Sequence, residues 1–128
     1  MPFPIPLIFG TGKSGSSKVE TDEGVLTIKR NLSQINSIRT EGEVSLQLEG
    51  EERYKLEARH KGGDRYQGTW QTANGTQALP EAVACEAYEA VRHLAGKKLD
   101  QADVVDDLVE LVTQPMDVTV RQETCKGR

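Results

Sequence analysis

From Gly42 to Ala58 apolar and polar residues alternate with a period of two through a single interruption, and this pattern constrains the fold more than any other feature of the chain. Val44, Leu46 and Leu48 fall on one face, with Glu43, Ser45, Gln47 and Glu49 on the other. Past Gly50-Glu51-Glu52 the order resumes, with Tyr54, Leu56 and Ala58 inward and Arg53, Lys55, Glu57 and Arg59 outward. Strict alternation is the signature of a half-buried strand. A three-residue turn keeps both apolar sets on one side. It sets Glu49 opposite Arg53, Glu43 opposite Arg59 and Leu46 opposite Leu56, so opposite charges pair outside while leucines pair inside.

Neighbouring segments extend this hairpin into a meander. Tyr66, Gly68 and Trp70 share a face in the run from Asp64 to Thr72. A three-residue turn at Lys61-Gly62-Gly63, or one residue later, would place Trp70 opposite Tyr54. Gly68 between two aromatics predicts a bend or a close backbone approach. Asn74-Gly75 is a turn signal that ends the meander. Upstream, Val19–Glu20 and Gly24–Arg30 read as a hairpin around Asp22-Glu23-Gly24, with Leu26 and Ile28 inward. Leu32, Ile35 and Ile38 recur at a spacing of three, which predicts a short helical turn between Asn31 and Arg39.

Pro80 and Glu81 open a helix that Gly96 closes, with Lys97 and Lys98 at its negative end and Val83, Ala87, Ala90, Val91 and Leu94 as its buried stripe. Asp100 is the predicted N-cap of a second helix, which ends before Pro115. Val104, Val105, Leu108, Leu111 and Val112 lie on one side of it, and Asp103, Asp106, Asp107 and Glu110 on the other. Alternation from Asp117 to Gln122, with Val118 and Val120 inward, predicts a last strand.

The fold class is therefore α+β: an antiparallel meander of about five or six strands packed by two C-terminal helices. In outline, Leu26 to Leu94 is similar to PH-like half-barrels closed by a helix, which usually have more strands. Such an outline carries no function with it. A chain of 128 residues is one domain, long enough to bury a core without a disulfide or metal staple. The predicted division is an arm and linker over 1–17, the domain over 18–122 and a flexible tail over 123–128.

The arm is the unusual part. Met1 to Gly10 carries no charge and places Pro2, Pro4 and Pro6 among Phe3, Ile5, Leu7, Ile8 and Phe9. Proline fixes φ, lacks an N–H and disfavours the α region for the residue before it, so the segment is extended and not helical. The Gly/Ser-rich stretch from 10 to 17 is of the flexible linker kind. Gly12-Lys13-Ser14 lacks the glycine that a phosphate-binding loop needs five positions earlier, where Leu7 stands. Two placements suit the arm: an edge strand of its own domain, or a docking segment on another subunit, a symmetry mate or a membrane interface. The spacer favours docking. The apolar run lacks the basic region of a secretory signal and the roughly 20 residues of a membrane span, which predicts a cytoplasmic protein with no transmembrane segment.

Charge is unevenly distributed. The net charge of −4 excludes a general polyanion binder. Residues 53 to 98 nevertheless hold eight Lys and Arg against five acids, whereas 99 to 116 hold five acids and no base. Arg53, Lys55, Arg59, Lys61 and Arg65 form the candidate phosphate- or nucleic-acid-binding face, with Glu43, Glu49 and Glu57 among them and no interleaved aromatic. Cys85 on the first helix reads as a small core residue and Cys125 as part of the tail, neither with metal spacing. His60, His93 and the acidic helix face show no catalytic or calcium-binding arrangement. No catalytic, metal or cofactor site is expected. The function predicted is a non-enzymatic accessory or adaptor protein that docks on a larger assembly, or on itself, through Phe3, Ile5, Leu7, Ile8 and Phe9. The alternative is a module binding phosphate-containing ligands or nucleic acid on the basic hairpin face.

Overall fold

A computed structural model describes residues 15–35, 39–61, 63, 65–92, 94 and 96–127. The arm residues Phe3, Ile5, Leu7, Ile8 and Phe9 lie outside these, as does His93. Six strands form one antiparallel sheet in chain order: β1 (Gly15–Thr21), β2 (Gly24–Ile35), β3 (Arg39–Glu49), β4 (Arg53–His60), β5 (Tyr66–Thr72) and β6 (Gly75–Ala78). Two helices, α1 (Glu81–Arg92) and α2 (Ala102–Thr113), follow and pack on the sheet. β1 and β6 are its two edges, so the sheet is open.

The β3–β4 register is the one the alternation requires: Glu49 faces Arg53, Leu46 faces Leu56 and Glu43 faces Arg59. The first hairpin pairs Thr21 with Gly24. Gly24 has φ +136°, and a Cβ there would lie 2.3 Å from the Glu49 carbonyl oxygen, so both conformation and space demand glycine. Gly68 is the predicted close approach. A Cβ on it would stand 2.7 Å from the Glu57 carbonyl oxygen and 3.2 Å from the Ala84 Cβ, because α1 presses its alanine face onto the sheet there.

Four expectations are corrected. Strand β2 continues to Ile35 and pairs with β3 from Ile35↔Arg39 onward, so no helical turn starts at Leu32. The spacing of Leu32 and Ile35 cannot nucleate a helix against a ladder that satisfies their backbone groups, and Ile38 lies outside the described residues. The β4–β5 turn runs from Lys61 to Arg65, closed by a Lys61 N–H to Arg65 carbonyl bond of 2.9 Å, which sets Trp70 opposite Leu56 rather than Tyr54. Two added turn residues preserve which side chains face inward but shift the pairing by two. Asp100 sits in a 3₁₀ turn (Gly96–Asp100), and Gln101 is the N-cap of α2, without a side-chain capping bond. The predicted strand over 117–122 is a 3₁₀ turn (Pro115–Asp117) followed by extended chain outside the sheet.

The reason for the last difference is Glu86. Its buried carboxylate accepts the N–H groups of Arg121 and Gln122 at 2.9 and 3.0 Å, taking up donors that a sheet would otherwise need. Cys125 then closes a disulfide to Cys85, with both residues fully buried. The two cysteines are thus a staple rather than a core thiol and a tail thiol. Residues 15–17, assigned to the linker from sequence, begin β1, and residues 123–125, assigned to the tail, form a 3₁₀ turn pinned by the bridge.

The core is aliphatic: Leu26, Ile28, Val44, Leu46, Leu48, Leu56 and Ala58 from the sheet meet Val83, Ala84, Ala87, Tyr88 and Val91 of α1 and Leu108, Leu111 and Val112 of α2. α1 is buried around most of its circumference, since the sheet covers one side and the stapled C-terminal segment another. Arg30 donates to the Arg92 carbonyl at 2.9 Å, a cation at the negative end of α1. Among the described residues no helix is long and apolar enough to cross a membrane.

Candidate functional site

Alternation on β4 brings three of the five candidate basic residues together: Arg53, Lys55 and Arg59 project from the outer face of the sheet. Lys61 and Arg65 stand exposed at the two ends of the β4–β5 turn. The register that aligns the bases also supplies their counter-ions. Arg59 Nε–H donates to Glu43 at 3.0 Å, its second guanidinium nitrogen reaches the same oxygen, and Lys55 lies 3.9 Å from Glu57. Each pair is about half exposed, so it holds geometry more than it adds stability. A depression of about 350 Å³ on this face, bounded by Lys29, Arg30, Glu43, Ser45, Gln47, Lys55 and Glu57 among others, is of mixed character and near charge balance. Tyr54, Tyr66 and Trp70 belong to the opposite, core-facing side, so among the described residues no ring is offered there for a base to stack on.

Trp70 is held by the fold. Its Nε1–H donates to the Val112 carbonyl at 2.8 Å and ties β5 to α2. His60 stacks on Tyr66 with ring centroids 4.5 Å apart, and Tyr88 meets both rings at a tilt. The Tyr66 hydroxyl donates to Glu89 at 2.9 Å, and Glu89 lies 3.6 Å from Arg92. Glu81 accepts the Tyr66 N–H at 2.9 Å. These carboxylates fasten α1 to β5 and to the C-terminal segment. Nothing in the sequence signals these roles for Glu86 and Glu89, because their partners lie more than 20 residues away along the chain.

The Tyr88 hydroxyl is buried with no hydrogen-bond partner among the described residues. Burial raises its pKa above the usual value for a phenol, Arg92 opposing and Glu89 reinforcing the shift. A group with a raised folded-state pKa stabilises the fold below its unfolded value and loses that contribution as pH climbs through the folded one. Stability is therefore expected to fall above about pH 10, the ordinary phenol value. Tyr88→Phe, which removes an unsatisfied hydroxyl, is expected to be neutral or slightly stabilising at pH 7 and to lessen that alkaline loss. Thermal melts of both proteins from pH 7 to 11 check it. A clear destabilisation at pH 7 would mean that the hydroxyl has a partner.

The largest concavity, about 1030 Å³, lies where the β1–β2 and β3–β4 turns approach α2. Six carboxylates line it, from Asp22, Glu23, Glu51, Glu52, Asp106 and Glu110, without a lysine or arginine. Tyr54 O–H donates to Glu52 at 2.5 Å, and this bond heads the causes that raise the phenol's pKa. The sequence showed the acidic helix face and the acidic turn separately. Only the meander register and the return of α2 bring them to one end. Among the described residues no three acidic, histidine or cysteine side chains stand close enough to hold a metal ion. Asp107 is drawn away to an ion pair with Arg121 at 2.9 Å, and that hydrogen bond raises the pKa of the guanidinium.

A further concavity, of about 230 Å³, separates α1 from α2; Ala90, Leu94, Val104, Leu108, Leu111 and Val118 give it a mainly apolar surface, and Glu86, Lys98, Asp107, Glu110, Arg121 and Gln122 line it as well. No family model, curated protein or solved structure matches this chain.

Proposed function

We propose that this protein is a non-enzymatic accessory module that engages a protein partner, a second copy of itself included, through its N-terminal arm. One observation supports this above the rest: Gly15, to which the Gly/Ser-rich segment leads, opens β1, an edge strand of the sheet. The arm is thus attached at the rim of the sheet. Its anchors would be Phe3, Ile5, Leu7, Ile8 and Phe9, each contributing about 1.5–3 kcal/mol on burial before the cost of ordering the segment. The acidic cleft would orient an approaching basic surface by its field. The phosphate-binding alternative draws little support, because Lys55 and Arg59 are already paired.

The disulfide bears on place. Cytosolic thiols are kept reduced, so a fully buried bridge suits an oxidising compartment better than the cytoplasm expected from sequence.

Light scattering after size exclusion, over a concentration series, tests the reading. The full chain is expected to gain mass as concentration rises, whereas Phe3→Ser/Phe9→Ser stays monomeric, with a melting temperature only slightly lowered by loss of the seated arm. If both stay monomeric and the double variant melts much earlier, the arm is an ordinary part of the core and the reading fails.

A further inference from the structure

We propose that the groove between α1 and α2 is the seat of the arm: residues 2–9 of the same chain lie in it, and exchange of this contact between copies is what joins them. This rests on the arm-docking reading above and names its receptor. The end cleft, the sheet depression and the inter-helix groove differ in what they accept. The end cleft is lined by six carboxylates and the sheet depression by paired charges, and an uncharged apolar segment would gain nothing in either. The inter-helix groove is the one of these whose open surface is mostly apolar, with Glu86, Lys98, Asp107, Glu110 and Arg121 sharing its lining. From Pro2 to Gly12 the arm has no charged side chain, so it brings no charge of its own to be taken out of water.

The point of entry supports the same match. A small cavity bounded by Gly15, Ser16, Ile28, Arg30, Leu94 and Leu99 puts the start of β1 beside Leu94, which also lines the groove. The chain before Gly15 therefore sets out one side chain away from it. Gly10 to Ser14, five residues, reach at most about 17 Å when extended. Along α1 the groove runs from Glu86 past Ala90, and the six steps from Glu86 to the helix end at Arg92 rise about 9 Å, with Leu94 beyond. Ile5 to Phe9 spans about 12 Å at polyproline rise, so the apolar half of the arm nearest the linker matches the groove in length and character. A short tether gives the arm a high effective concentration at its own groove. In dilute solution the chain's own arm occupies the seat. As protein concentration rises, the identical contact forms between copies, which is the low-cost route to an exchanged dimer.

The chain has two phenylalanines, Phe3 and Phe9, both in the arm, so a fluorinated phenylalanine incorporated during synthesis reports on the arm alone by fluorine NMR. In dilute folded protein both resonances are expected away from their positions in the urea-unfolded chain, and serial dilution should not move them. Ala90→Arg or Val118→Arg, each at a half-buried groove position, should return both to the unfolded positions while Trp70 emission and the melt report an intact body. Wild-type resonances at unfolded positions overturn the inference, as does a displacement that both variants leave unchanged. A displacement that vanishes on dilution overturns the chain's own arm as occupant. Light scattering on the same samples separates the two readings. Mass growth that persists in Ala90→Arg keeps arm docking and removes the groove, whereas displaced resonances without mass growth keep the groove and remove self-association.

Discussion

Replacing Cys85 and Cys125 together with alanine is expected to lower the free energy of unfolding by about 4 kcal/mol, the largest effect of any change to the chain outside its hydrocarbon core. The bridge joins residues 40 apart, and chain entropy for a loop of that length gives about 4 kcal/mol through restriction of the unfolded chain. Native contacts add to this. The C-terminal segment crosses α1 without strand pairing, held by the bridge and by the two N–H bonds to Glu86. Freed at one end, it also loosens that carboxylate, which is 5% exposed and depends on those donors. Urea unfolding of the oxidised protein, the reduced protein and the double alanine variant measures the difference. The m-value of the unbridged forms should rise, since their unfolded chains expose more surface. A loss of only about 1 kcal/mol would instead fit two thiols acting as small apolar residues, the role the sequence suggested.

Why the bridge escaped a reading of the sequence, while the central hairpin did not, is a matter of contact distance along the chain. Glu43, Leu46 and Glu49 find their partners across a three-residue turn, and period-two alternation fixes both face and register once the turn length is known. Trp70 shows the limit of that logic. Its face was legible, but its partner was not, because the turn from Lys61 to Arg65 is two residues longer and parity alone cannot count pairs. Leu32 and Ile35 show another: their helical spacing was outweighed by a ladder to Gly42 and Arg39. Cys85 and Glu86 reach partners 35 to 40 residues on, in a segment whose own alternation pointed to a strand. The candidate surfaces divide in the same way. The basic face and its counter-ions lie on adjacent strands and were readable, whereas the acidic cleft and the inter-helix groove are assembled from distant elements.

Leu46→Ala is expected to cost about 3 kcal/mol, within the roughly 2–5 kcal/mol range for emptying a buried leucine site. Leu46 is fully buried at the centre of the sheet, paired with Ile28 on β2 and Leu56 on β4, in the cluster that both helices join. Neighbours on two sides are fixed by hydrogen-bonded strands, so the cavity cannot collapse easily. On the same strand but the opposite face, Glu43→Ala removes the exposed pair with Arg59 and should cost less than about 1 kcal/mol. The contrast between the two tests the two-sidedness of the sheet. A one-residue slip of β3 would bring Ser45 and Gln47 to the core and Leu46 to solvent, so the two substitutions would then cost about the same. Unfolding midpoints at constant m-value separate these outcomes. A loss below about 1 kcal/mol for Leu46→Ala would overturn the register on which the outer-face charge pairing and the seating of both helices depend.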